Sequence, residues 1–118
     1  MEVYTTIDQK NLNVAQSSAI GAETLGFDGI YTLENKHDPF LPLASALVAT
    51  KNIALSTGIA LAFTRSPMLT ANLAWDLQTS SGGRFTLGLG PQIKAHNVRR
   101  FSVSWSAPAP RIKEYIIQ

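Results

Sequence analysis

Four stretches of strand character begin near residues 2, 29, 53 and 85, and each is followed by a stretch of helix character. A chain that alternates in this way folds as a parallel sheet, because consecutive parallel strands need a crossover and a helix makes it right-handed. The first strand covers residues 2–6. Asn11 or Asn13 then caps a helix whose apolar face is Val14, Ala15, Ser18, Ala19, Ala22 and Leu25, spaced by threes and fours. Gly26 supplies the left-handed residue that ends it, with Phe27 packing back onto Ala22. The second strand, Gly29 to Leu33, leads to Asp38-Pro39, a helix-start signal, and a helix through Leu43, Leu47 and Val48 to about Thr50. Ile53 to Leu61 is apolar on both faces, as a strand covered on both sides is. Ser66-Pro67 opens a helix with Leu69, Leu73 and Leu77 four apart and Trp75 alongside, and these residues are expected in the core. Phe85 to Leu89 is the fourth strand, Gly90 to Ala107 a loop, and residues 108–118 the start of another helix.

The fold class is therefore α/β, with about four βα units in one domain spanning 1–118. That pattern suits a small doubly wound sheet or the N-terminal half of a (β/α)8 barrel. A closed barrel takes about 250 residues, and 118 are present. With 45% hydrophobic and 15% charged residues, disorder is excluded. Cysteine is absent and no His/Asp/Glu cluster has ligand spacing, so no metal site is expected. The longest apolar-rich stretch, 53–63, falls short of the roughly 20 residues of a membrane span. No secretory signal opens the chain, and a cytoplasmic location is the expectation. Residues 1–60 carry a net charge of −3 and residues 61–118 carry +5, so an anion site belongs to the second half. Lys94, Arg99 and Arg100, with Arg111 and Lys113 nearby, are the candidates for it, or form a solvated surface. Nucleic acid is not expected, because aromatic residues are not interleaved with them.

Three runs narrow the choice. AETLGFDGIYTLENKHDPFLPLA, ALSTGIALAFTRSPMLTANLAWDLQTSSGGRFTLGLG, and RRFSVSW with PRIKEY resemble, collinearly over about 95 residues, the luciferase-like flavin and deazaflavin oxidoreductases. The nearest likeness is to the branch using the deazaflavin coenzyme F420. The resemblance implies a (β/α)8 TIM barrel with the cofactor at the C-terminal ends of the strands, and it implies that this chain is the first half. The cofactor would be F420, or FMN with oxygen as the alternative, acting on a small-molecule substrate. Strands five to eight supply much of the phosphate binding in relatives, so the chain alone is expected to be inactive. The alternative is a non-catalytic half-barrel that associates with itself as a homodimer or with a separate C-terminal half. Open edge strands and a bare apolar inward face both argue for such a partner.

Site residues follow from the same resemblance. His37 lies after the second strand, where deazaflavin relatives carry a catalytic histidine; an ungapped alignment puts that histidine on Asn35, two positions away. Imidazole titrates near neutrality and suits proton transfer, or His37 is a loop residue bonding near the helix start. Glu34 is a second acid–base candidate, or a partner of Lys36 or Arg65. Thr57, Gly58 and Ile59 stand where relatives bend the chain, often with a cis peptide, to support the cofactor ring. Gly88-Leu89-Gly90 resembles a phosphate-cradling turn but lacks the third glycine of the dinucleotide fingerprint. Gly90 is expected to approach the cofactor, with Gln92 and His96 as polar lining. Pro91 replaces a small hydroxyl residue, and the acid some relatives use after this turn is Ile93 here.

Overall fold

A computed structural model describes all residues, Met1–Gln118. Its elements are β1 (Tyr4–Thr6), α1 (Leu12–Thr24), β2 (Gly29–Thr32), α2 (Phe40–Ala49), β3 (Ala54–Thr57), β4 (Ala60–Leu61), a 3-10 turn (Ala62–Thr64), α3 (Pro67–Ser80), β5 (Phe85–Thr86), β6 (Leu89–Gly90), α4 (Lys94–Phe101) and α5 (Pro108–Ile117). β1, β2, β3 and β5 form one parallel sheet in that order, and β4 pairs with β6 in a second, parallel pair. The expected sequential order of four strands holds. The third and fourth strands are each broken in two, which the apolar runs did not signal.

Local chemistry sets the helix ends. Asn11 accepts the Val14 N–H at 2.9 Å, and Asp38 Oδ1 accepts those of Phe40 and Leu41 at 2.7 and 2.9 Å. Ser66 caps α3 by accepting from Leu69 at 3.2 Å. After α1, Gly26 has φ +88° while Phe27 and Gly26 donate to Ala22 and Glu23, the two bonds of a Schellman close. Arg84 closes the opposite end of the sheet, donating to Thr50 Oγ1 and to the carbonyls of Leu47, Thr50, Ile53 and Ser81. It thereby satisfies carbonyls that the end of α2 leaves open.

The sheet has two unlike faces. Ile30, Leu55 and Phe85 stand in one register row, all buried beneath the helices with Leu43 and Ala46 of α2 and the alanines of α1. One residue along, the open face carries the row Thr6, Tyr31, Ser56 and Thr86. The next row on that face is Tyr4, Gly29 and Ala54, so the open face mixes hydroxyls with aromatic and small apolar groups rather than being simply apolar, and Ser56 on it shows that the third strand is not apolar on both faces. Only the helix-covered face excludes water, so only there does burial select apolar side chains.

The expected core stripe of α3 also fails. Leu69, Leu73 and Trp75 are exposed, Trp75 by 74%, and Leu77 alone is buried. The inward positions are Ala74 and Leu77, which pack on the core, and Thr70, which is buried and bonded to the Tyr115 hydroxyl of α5; Thr70 and Ala74 lie one position along the helix from Leu69 and Leu73. Both stripes have helical spacing, so periodicity could not choose between them. The expected loop after residue 90 contains α4, which ends at Ser102 in a left-handed conformation (φ 54°). Its polar composition hid it.

Candidate functional site

The two strand breaks lie side by side at the C-terminal end of the sheet. Thr57, buried at the end of β3, donates its hydroxyl to the Gly88 carbonyl and accepts the Gly88 N–H, both at 2.8 Å. The Gly88 carbonyl also accepts from Ala60 at 2.8 Å. Such close approach requires glycine: a Cβ at position 88 would stand 2.1 Å from the Thr57 carbonyl oxygen. The Gly58 N–H donates to the Thr32 carbonyl at 2.7 Å, and the Gly58–Ile59 peptide is cis, as the resemblance led us to expect. Beyond the break, Ile59 lies against Gly90, where a Cβ would meet its Cδ1 at 2.2 Å. Thr57, Gly58, Ile59 and Gly90 therefore come together as one bend. The Gly88-Leu89-Gly90 segment is not a phosphate cradle, because Leu89–Gly90 is a strand and the Gly88 N–H is taken by Thr57.

The chain after β2 adjoins this bend. Gln9 clamps it by donating to the Leu33 carbonyl and accepting the Leu33 N–H, at 2.9 and 2.8 Å. Glu34 then reaches across to β4, accepting the Leu61 N–H at 2.6 Å. Its two oxygens also accept from Arg65 at 2.8 and 2.9 Å, while Asp38 Oδ2 accepts from Arg65 at 3.1 Å. Burial works against the Arg65 charge, but the bonds to Glu34 and Asp38 outweigh it and hold the guanidinium above its ordinary pKa. Of the two partners proposed for Glu34, the structure selects Arg65. His37 is exposed on the loop beyond, and with Glu34, Lys36, Arg65, Arg100 and Phe101 it lines a cleft of about 270 Å3.

Gln92 and His96 follow the fourth strand. Gln92 has φ 57° and its side chain accepts the Ile93 N–H at 2.8 Å. His96 carries a buried Nδ1 with no protein partner. Asn97, fully buried, donates through Nδ2 to the carbonyls of Pro91, Gln92 and Ile93 at 2.9, 3.3 and 3.1 Å, and so shapes the segment bearing Gln92. Its Oδ1 is buried without a partner. The sequence reading missed Asn97, though a poor helix former inside a helix is a sign of side-chain bonding to backbone. It missed Gln9 too, for which no local signal existed. The basic cluster divides: Arg100 donates to the Asn35 carbonyl, whereas Arg111 stacks on Phe63 at 4.2 Å and donates to the Ser104 carbonyl at 2.6 Å. No helix is long and apolar enough to cross a membrane.

The sequence model of the family described as "Luciferase-like monooxygenase" matches residues 2–117. The chain belongs to that family. An uncharacterized protein of Mycobacterium tuberculosis is 51% identical over 102 residues, covering 86% of this chain and 30% of its own. Among solved structures, the coenzyme F420-dependent tetrahydromethanopterin reductase of Methanopyrus kandleri superposes with a TM-score of 0.76 at 26% identity, over 98% of this chain and 37% of that one. The oxygenating constituent of 3,6-diketocamphane monooxygenase of Pseudomonas putida, solved with FMN, gives 0.85 at 18% identity, over 99% and 38%. The chain thus spans about a third of the length of these proteins, matching the N-terminal part of luciferase-like TIM barrels.

Proposed function

We propose that this chain forms the ring-supporting N-terminal part of an oxidoreductase that uses F420, with FMN as the alternative, on a small-molecule substrate. The carrying observation is the paired break in the third and fourth strands. It sets Thr57, Gly58, Ile59 and Gly90 on one level, where glycine backbone and the part-exposed Ile59 side chain offer a flat apolar support. The buried, unpartnered His96 Nδ1 fits a group with hydrogen-bonding edges. Similarity to an F420-dependent reductase, closer in sequence than the FMN-bound monooxygenase, favours the deazaflavin.

The cofactor, when bound, supplies or accepts hydride. The chain's own residues position and exclude. The bend backs the ring, Gln92 and His96 meet its polar edge, and His37 passes a proton at its exposed imidazole. Glu34 was a candidate acid–base group. With both oxygens engaged by Arg65 and Leu61, we assign it instead to holding the second-strand loop against β4. A second copy, or a separate C-terminal half, pairs with the open edges β1 and β5 to close the barrel. Fluorescence titration of F420 and FMN tests the reading. The chain alone binds weakly, and Ile59→Asp, which puts a charge on the support, abolishes that binding. Binding that Ile59→Asp leaves unchanged would overturn the assignment.

A further inference from the structure

The cleft between the loop after β2 and helix α4 brings the acidic and basic halves of the chain together, and their hydrogen-bonding capacity is used unequally. Its acids face inward. Both oxygens of Glu34 are taken by Arg65 and the Leu61 N–H, and both oxygens of Asp38 by Arg65 and the first turn of α2. Its bases other than Arg65 face outward. Lys36 and His37 are exposed, and neither is in an ion pair. Arg100 stacks on Phe101 at 5.1 Å and donates through one nitrogen to the Asn35 carbonyl, which pins α4 to the loop and leaves the rest of the guanidinium without an acceptor. The lining groups sum to one net positive charge with His37 neutral.

We propose that this cleft binds a phosphate or carboxylate group through Lys36, His37 and Arg100. A planar guanidinium, an ammonium and an imidazole on one rim supply the charged and directional donors that such an anion needs. About 270 Å3 admits the anionic group with part of the molecule that carries it. Arg111 offers no comparable site, because it is stacked on Phe63 and shares its hollow with Glu114. The inference extends the cofactor reading to the charged end of a ligand, and it stands or falls separately from ring binding.

Inorganic phosphate, titrated into the 118-residue chain at constant ionic strength and followed by amide and side-chain NMR, tests it. We expect saturable shifts centred on Lys36, His37 and Arg100. Lys36→Gln and Arg100→Gln each weaken phosphate about tenfold, while Lys113→Gln leaves it unchanged. Lys36 makes no contact that holds the fold, so Lys36→Gln is the primary test; Arg100→Gln also releases the α4 tether to Asn35 and counts only where the same spectra show the wild-type fold. If FMN displaces phosphate and riboflavin does not, the anion is the cofactor's; if glutarate displaces it and FMN does not, the anion is a substrate carboxylate. Shifts that never saturate, or an affinity equal in wild type, Lys36→Gln and Arg100→Gln, overturn the proposal.

Discussion

Replacing Thr57 by valine removes one hydroxyl and keeps the side chain's shape, so it isolates the link that holds the two broken strands together. Thr57 is 2% exposed, and no cavity opens on substitution. Two hydrogen bonds of 2.8 Å to Gly88 are lost, with unequal consequences. The Gly88 carbonyl keeps the Ala60 N–H, whereas the Gly88 N–H keeps nothing. Gly88 is half-buried, so leaving its donor unsatisfied falls in the lower part of the penalty for a buried group, about 1–2 kcal/mol, and losing the second bond adds about 0.5–1 kcal/mol. The expected loss is about 1.5–3 kcal/mol, a large part of the ~5–15 kcal/mol that a whole domain commands. Urea unfolding followed by circular dichroism would show a lower midpoint at an unchanged slope. Thr57→Ser, which keeps the hydroxyl and drops a methyl group, should cost about 1 kcal/mol. A valine variant within about 0.5 kcal/mol of wild type, or a serine variant as damaging as valine, refutes the reasoning.

Other substitutions probe the remaining supports. Arg65→Ala leaves the Glu34 carboxylate, 9% exposed, with the Leu61 N–H alone; we expect a loss of roughly 3 kcal/mol in denaturant unfolding, reduced when Glu34→Gln is added. Glu23 accepts the N–H groups of Asn52, Ile53 and Lys51, and the bond from Asn52 leads in lowering its pKa against the opposing effect of burial. A carboxylate lowered by folding stabilises fully above its ordinary pKa, and that contribution is lost as the pH falls through the folded-state value. Glu23→Gln therefore flattens the acid side of the stability profile, and an unchanged profile contradicts this. Asn97→Ala frees the carbonyls of Pro91 and Gln92, so hydrogen exchange should quicken across residues 92–97 with little change in the α1 core.

How much could be seen beforehand depends on how local each feature is. Caps at Asn11, Asp38 and Ser66 and the glycine close at Gly26 act within a few residues, so they were legible, and with them the four βα units and their order. The bend at Thr57-Gly58-Ile59 was legible only through resemblance. The α3 stripe was misread because Leu69, Leu73 and Leu77 and the inward set Thr70, Ala74 and Leu77 both have spacings of three or four, and at the first two positions they differ by one residue along the helix.

The sequence by itself determined the local conformations, the parallel sheet and the family, since each is encoded by neighbours in the chain. Only the tertiary structure decided what each polar group is bonded to. Thr57 meets Gly88 across 31 residues, Glu34 meets Leu61 and Arg65 across 27 and 31, and Gln9 meets Leu33 across 24. It also decided that the open sheet face carries the hydroxyl row Thr6, Tyr31, Ser56 and Thr86 beside Tyr4 and Ala54, and that Arg100 joins Lys36 and His37 rather than Arg111. Hydrogen bonds and ion pairs depend on distance in space, and a pairing between segments a whole crossover apart leaves no periodic trace in the order of residues.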